Sequence, residues 1–373
     1  DIYLKNHEYL NDYEKELLSD KNFGFKSDKI NLVHAPPGSG KTHLVKTLAK
    51  KKRVLLVLPF ISVINNKIET DEEISKIFEV FYDDKDITKM ESGINVCMTF
   101  DKFSRCNYEK ISRQFDYIFI DENHLITNSQ YRINATSNSL RKIKQLYFIS
   151  SNDPFAAKII LMTGTPTGDS FFFGKNGNFI KVYKKSHEKK LEFHICGDSL
   201  DVSSRLAYKA YQLLTEKYTL IIPSNQGNIW MENMVGQIEF LLQRPVKYGY
   251  YKRENKETDI CTLINEQNTV GDYEIVFCTT YLSVGIDLND TNKKFATLYT
   301  GNFSSFEIEQ FNSRIRKKGI QSYYFIKTLD SEGKVDMSLF EEPQLQLKLT
   351  EDDILNFKDD KEIVNAKQEF IAQ

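Results

Sequence analysis

Residues 35–42 read Ala35-Pro36-Pro37-Gly38-Ser39-Gly40-Lys41-Thr42, a glycine-rich run between a short apolar segment, Lys29–His34, and a helix-like stretch, His43–Lys50. That order suits phosphate chemistry. Gly38 and Gly40 permit tight turns that aim backbone amides at phosphate oxygens, so Pro37, Gly38, Ser39 and Gly40 would form a cradle. A helix that starts at the phosphates adds the positive end of its dipole. Lys41 supplies a point charge for β- and γ-phosphates, and Thr42 offers a hydroxyl to magnesium. Ala35 stands where the general pattern has glycine. Beyond this loop, the apolar segment Tyr117–Ile120 ends in Asp121-Glu122-Asn123-His124. Acids at the carboxyl end of a buried strand lie where open α/β sheets bind ligands. Asp121 is expected to hold magnesium, directly or through water, and Glu122 to orient and deprotonate an attacking water. The two motifs together call for ATP and Mg2+.

These motifs need a scaffold, and the chain supplies apolar runs of strand length at Arg53–Leu58, Ile94–Thr99, Tyr117–Ile120, Gln145–Ile149 and Ile159–Thr163. Helix-like segments such as His43–Lys50 and Glu72–Phe81 alternate with them, the pattern of a parallel α/β sheet. A second series follows at Leu191–Cys196, Tyr218–Pro223, Glu274–Thr279, Ala296–Thr300 and Ser322–Ile326, with helix-like stretches at Ser203–Glu216 and Met231–Leu242. The expected organisation is a polar N-terminal extension over 1–28, helical around Tyr9–Leu18, a first domain over 29–183, and a linker over 184–190. A second domain covers 191–330 and an acidic tail 331–373. Gly174–Lys190, rich in Lys, Gly and Asn, reads as loop or linker.

The 373 residues exceed one ordinary core and suggest about two domains. A hydrophobic content of 40%, a charged content of 27% and a net charge of −2 describe a soluble globular chain. The chain has no global basic field, so a polyanionic partner would have to meet a local basic groove. Five scattered cysteines without a C-x-x-C pair suggest neither disulfides nor zinc, and a reducing compartment, cytoplasmic or nuclear, is expected. Neither a membrane span nor a secretion signal is apparent. The first residue is Asp1, as in a piece of a longer polypeptide.

Asp121-Glu122-Asn123-His124 resembles the D-E-x-H box of superfamily 2 helicases, and Ala35–Thr42 resembles their motif I. Further matches follow in the family's order. Pro59 ends a strand as in motif Ia, and Thr99 is similar to motif Ib. Thr163-Gly164-Thr165-Pro166 looks like motif III, and Ile221–Asn225 is placed like motif IV. Thr279–Asp287, with Gly285 and Asp287, is similar to motif V. Gln310-Phe311-Asn312-Ser313-Arg314-Ile315-Arg316 looks like motif VI. The last run departs from the commonest spelling at Phe311, Ser313 and Lys317, and is closer to that of herpesvirus origin-binding proteins and some phage DNA helicases. The similarity covers roughly residues 30–330.

The resemblance implies two RecA-like parallel-sheet domains in tandem with ATP between them. Gln310, Arg314 and Arg316 would complete the site from the second domain, with Lys317 the rival of Arg316 as second finger. Arginine suits the role because its planar fork pairs bidentately with phosphate. Gly285 and Asp287 would also face the nucleotide. His124, Thr163 and Thr165 would couple hydrolysis to motion, and Pro59, Thr99, Asn225 and Thr279 would grip one nucleic-acid strand. The implied activity is that of an ATP-dependent helicase or translocase acting on a single strand or fork, with DNA slightly preferred over RNA and replication or remodelling partners. A stimulated ATPase that remodels complexes without unwinding, and a non-catalytic binding module, are the alternatives. The aromatic runs Phe171–Phe173 and Tyr248–Tyr251 are equal candidates for a base-stacking wedge.

Overall fold

Segments such as Val54-Leu55-Leu56-Val57-Leu58 carry no polar residue on either face, so both faces must be covered. The computed structural model shows how. It describes residues 1–328 except 6, 20–23, 62, 66–70, 82–92, 129–132, 165–172, 185–189, 225, 252–257, 280–287, 291, 302, 304 and 316–319. The described residues divide into two compact units, one within Asp1–Ser186 and one within His187–Glu341. Each is built on a parallel sheet flanked by helices, matching tandem RecA-like domains.

The first unit contains strands β1 (Ile2–Leu4), β2 (Ile30–His34), β3 (Val54–Leu58), β4 (Phe78–Phe81), β5 (Asn95–Thr99), β6 (Tyr117–Asp121), β7 (Lys158–Thr163) and β8 (Gly177–Lys184). They pair in the order β1-β8-β2-β7-β6-β3-β5-β4, all parallel. On one face Leu32, Leu55, Val57, Ile118, Ile120, Ile159 and Leu161 pack with Phe103, Ile143 and Leu146 from covering helices. In the second unit, β9 (Lys190–Cys196), β10 (Tyr218–Pro223), β11 (Tyr248–Tyr251), β12 (Ile275–Cys278), β13 (Lys294–Thr300) and β14 (Gln321–Lys327) pair in the order β11-β12-β10-β13-β14-β9, again all parallel. Leu206, Ala210 and Leu213 of helix Ser199–Thr215 cover one face. Ile260, Ile264, Ile308 and Phe311 cover the other.

The structure corrects four local expectations. Gln145–Ile149 is not a strand but lies inside helix Ile133–Asn152. Leu140, Ile143 and Leu146 recur at helical spacing and are buried, whereas Phe148 is 72% exposed, an alternation no buried strand would show. Glu72–Phe81 is only half helix. Asp71 caps Glu72–Ile77 through the Glu73 and Ile74 amides, and Phe78–Phe81 then extends along β5. Within Gly174–Lys190, residues Gly177–Lys184 form β8, whose Ile180 and Val182 are buried in alternation. The N-terminal extension is helical where expected, over Leu10–Leu18, but Ile2–Leu4 adds a strand to the sheet edge along β8. Among the described residues no helix is long and apolar enough to cross a membrane.

Candidate nucleotide site

β2 runs directly into the glycine-rich loop, and helix Lys41–Ala49 leaves it. Gly38 and Gly40 have φ of 75° and 90°, a left-handed backbone that glycine adopts without penalty. At Gly40 a second constraint applies, since a Cβ there would lie 2.9 Å from Cβ of Tyr9. The loop is closed by the Ser39 amide donating to the Pro36 carbonyl at 3.2 Å. From outside, the Leu10 amide donates to the Ser39 carbonyl at 2.9 Å. A trans peptide points its N–H opposite its C=O, so the Gly40 amide faces away from Leu10. Lys41 Nζ donates to the Ala35 carbonyl at 2.7 Å and to the Pro36 carbonyl at 3.4 Å, curled over the loop it would serve. The Ser39 hydroxyl is wholly buried and has no hydrogen-bond partner among the described residues.

Strand order assembles the remaining parts. β7 lies between β2 and β6, with His34 opposite Thr163 and Asp121 opposite Met162. The carboxyl ends of three adjacent strands therefore deliver the loop, Thr163 and the acids to one edge. The Ala35 amide donates to the Thr163 carbonyl at 2.9 Å, and the Asn123 amide to the Met162 carbonyl at 3.1 Å. Gly164 packs so tightly against the loop that an added Cβ would sit 3.3 Å from Cδ of Pro37. Asp121 is 6% exposed. Glu122 follows with φ 53°, a left-handed conformation costing a non-glycine residue about 1–2 kcal/mol. This kink turns the chain out of the strand at the second acid, and the Glu122 amide donates to Asp121 Oδ1 at 3.1 Å. His124 is buried, its Nδ1 2.8 Å from Thr163 Oγ1 and 3.4 Å from Glu122 Oε2. One imidazole thus touches both the expected water-orienting acid and the expected coupling hydroxyl.

A triphosphate with magnesium fits these residues chemically. The loop offers amides, a lysine and the Thr42 hydroxyl. Asp121 adds one hard oxygen ligand, sufficient for an ion that keeps its waters and borrows substrate phosphates. Among the described residues no group of three or more His, Cys, Asp or Glu is placed to hold a metal unaided.

Comparison with known proteins is consistent with this layout. A family model described as "Type III restriction enzyme, res subunit" matches residues 7–168. No curated protein matches the chain in sequence. The solved structure of the DUF1998 helicase MrfA bound to DNA is similar at 15% identity and a TM-score of 0.59, over 97% of this chain and 48% of that one. This chain therefore spans about half of MrfA's length. S. cerevisiae Dbp5 bound to RNA and ADP BeF3 is similar at 13% identity and a TM-score of 0.56, over 91% of this chain and 89% of that one. The fold is the tandem RecA-like fold of helicases.

The other expected residues divide into placed and unplaced. Pro59 is buried directly after β3. Thr99, 4% exposed, caps helix Phe100–Arg105 by accepting from the Lys102 amide at 3.4 Å. Thr279 follows β12, its amide donating to the Tyr251 carbonyl at 3.4 Å. Gln310 and Arg314 are half-buried on helix Ser305–Arg314. Thr165, Asn225, Gly285, Asp287, Arg316 and Lys317 lie outside the described residues, as do Phe171 and Phe172.

The buried amides that hold these elements are not among the expected site residues. Asn31, wholly buried in β2, donates to the Ile159 carbonyl at 3.0 Å and accepts from the Lys26 amide at 2.7 Å and Asn178 Nδ2 at 2.8 Å. In the second unit Asn312 Oδ1 accepts from Thr297 at 3.0 Å and Tyr299 at 2.8 Å, while Nδ2 donates to Ser322 at 3.0 Å. The Ser322 hydroxyl in turn donates to Thr297 Oγ1, 2.7 Å away, since the single Thr297 proton goes to Asn312. The Leu288 amide donates to the Arg314 carbonyl at 2.7 Å, tying the end of the helix to the chain just past Asp287. A polar residue inside an apolar run, Asn31 in Ile30–Val33, was the available signal.

Proposed function

We propose that the chain is an ATP-driven motor of the DExH superfamily 2 helicase type that moves along one nucleic-acid strand, with DNA slightly preferred over RNA. The observation that carries this reading is the junction of β2, β7 and β6. There the Lys41 loop, Thr163 and Asp121–His124 share one sheet edge, and His124 bridges Thr163 and Glu122. In the proposed cycle, Lys41 and the loop amides hold the β- and γ-phosphates, and Thr42 and Asp121 hold magnesium. Glu122 positions and deprotonates the attacking water, since phosphoryl transfer depends more on placement and charge than on covalent help. The resemblance assigns Gln310 and Arg314 of the second domain, with Arg316 or Lys317, to the triphosphate as finger residues, and Gly285 and Asp287 to the nucleotide. ATP and its hydrolysis products then favour different states of the motor, because only the triphosphate satisfies these contacts. Pro59, Thr99, Thr165, Asn225 and Thr279 are assigned to the strand and to its coupling with hydrolysis. Domain boundaries at 29–183 and 191–330 go with this reading.

The test is ATPase activity titrated with single-stranded DNA, single-stranded RNA and duplex at fixed salt, for the wild type, Lys41→Ala and Glu122→Gln. Stimulation by single strands and loss in both variants are expected. Equal rates in all three proteins would end the catalytic assignment. Stimulated hydrolysis without displacement of a labelled strand would assign a remodelling ATPase instead.

A further inference from the structure

Lys184 is the last residue of β8 and sits beside the outside of the phosphate loop. Its ammonium donates to the Gly38 carbonyl at 3.2 Å and to the Glu8 carbonyl at 3.0 Å. It also stands 3.9 Å from the ring centroid of Tyr9. Tyr9 in turn packs on Gly40, and the next amide, Leu10, donates to the Ser39 carbonyl. The N-terminal segment therefore forms a strap. It starts as β1, is held to β8 with Leu4 opposite Lys184 and Tyr3 stacked on Tyr183, and ends against two consecutive loop residues, Ser39 and Gly40. Lys184 joins strap and loop with one charge.

We infer that Lys184 is a positioning residue for nucleotide binding, holding the Gly38–Gly40 backbone in its phosphate-ready form through the Gly38 carbonyl and the Glu8–Leu10 strap. The inference rests on the nucleotide reading of the loop. A carbonyl fixed outward on Lys184 and another fixed outward on Leu10 leave successive peptides of the loop unable to flip. Without the ammonium, Gly38 regains the wide conformational freedom of an exposed glycine. Apparent affinity then falls by the fraction of loops in the competent form. An ammonium–carbonyl bond of ordinary net strength sets that factor at roughly five- to tenfold. β2 and β7 lie between β8 and the acids of β6, so the effect is assigned to binding and not to hydrolysis.

The experiment is calorimetric titration of the full chain with MgATP and MgADP, alongside thermal unfolding without nucleotide. Lys184→Met keeps the aliphatic stem and removes the charge. It should weaken both nucleotides roughly five- to tenfold with an unchanged unfolding midpoint, while Lys184→Arg restores most of the affinity. Steady-state kinetics should show the loss in KM and not in kcat. Unchanged affinity in Lys184→Met overturns the inference, as does a loss of affinity that follows a matching loss of thermal stability. Lys41→Ala serves as the separate control. If it binds MgATP as the wild type does, the nucleotide reading itself fails. If it loses binding and Lys184→Met does not, only the positioning role falls.

Discussion

Replacing Asn312 by leucine removes the centre of a buried network while nearly preserving volume. Asn312 is 3% exposed and makes three side-chain hydrogen bonds, to Thr297, Tyr299 and Ser322. Thr297 and Ser322 retain each other at 2.7 Å. Tyr299 is left with the Ile308 carbonyl at 3.5 Å, a poor substitute for 2.8 Å. The cost is therefore one buried hydroxyl nearly orphaned, about 1–3 kcal/mol, plus the net worth of two further bonds at about 1 kcal/mol each. Burying leucine in place of an amide offsets part of this, leaving about 2–4 kcal/mol. The chain's single tryptophan, Trp230, lies in the same unit and packs on Phe277, so its fluorescence reports that unit's unfolding in urea. Asn312→Leu should lower the urea midpoint accordingly. Adding Thr297→Val, Tyr299→Phe and Ser322→Ala should recover at least half the loss, because a network with every partner apolar leaves nothing unsatisfied. A loss under about 0.5 kcal/mol for Asn312→Leu, or losses that simply add across the four sites, would refute the network argument.

Three further perturbations probe the first unit. Gly40→Ala and Gly38→Ala share the left-handed penalty of about 1–2 kcal/mol, but only Gly40 faces Tyr9 at 2.9 Å. Gly40→Ala should therefore be the more destabilising in a denaturant titration, and equal costs would dismiss the Tyr9 contact. Burial raises the Asp116 carboxyl, yet the hydrogen bonds and charge of Arg53 prevail and hold it below the usual carboxylate value. With the folded value depressed, its contribution is present above about pH 4 and lost as pH falls through the folded value. Asp116→Asn should thus cost about 1 kcal/mol at neutral pH, with a gap that closes in acid; a pH-independent gap counts against the assignment. His124→Ala and Thr163→Val each break the same 2.8 Å contact. Each should lower nucleic-acid-stimulated ATPase by roughly tenfold, with the double variant no worse than either single. Additive losses would show that the two residues act separately.

What could be read from the residues depended on how far each interaction reaches along the chain. β10 falls at Tyr218–Pro223 as its continuous apolar run predicts, and the loop at 35–42 lies between strand and helix because glycine placement is a local constraint. Gln145–Ile149 failed because five apolar-rich residues cannot reveal a period that needs Leu140 and Ile143 to be seen. Phe78–Phe81 and Gly177–Lys184 failed for another reason. Both are edge or near-edge strands fixed by partners elsewhere, β5 for one and β1 and β2 for the other. The site follows the same rule. Lys41, Asp121 and Glu122 announce themselves by spacing, whereas Asn31 meets Ile159 across 128 residues and Lys184 meets Gly38 across 146. The left-handed turn at Glu122 has no signature in residue type at all, since glutamate gains nothing from that conformation.

Asn31 and Asn312 point to a common logic. Apolar strands such as β2 and β7 would pack almost as well after a slip in register, because hydrophobic contact is not directional. A one-residue slip would nevertheless exchange the faces of the strand and move His34 away from Thr163. Asn31 forbids it. Its amide reaches β7 through Ile159 and β8 through Asn178, and no shifted alignment satisfies both. Leaving it unpaired would cost about 1–3 kcal/mol, several times the difference between two equally greasy registers. Asn312 does the same for the helix carrying Gln310 and Arg314, fixing it against β13 and β14 together. In each unit, a buried amide fixes the geometry from which the candidate site's loops and side chains are presented.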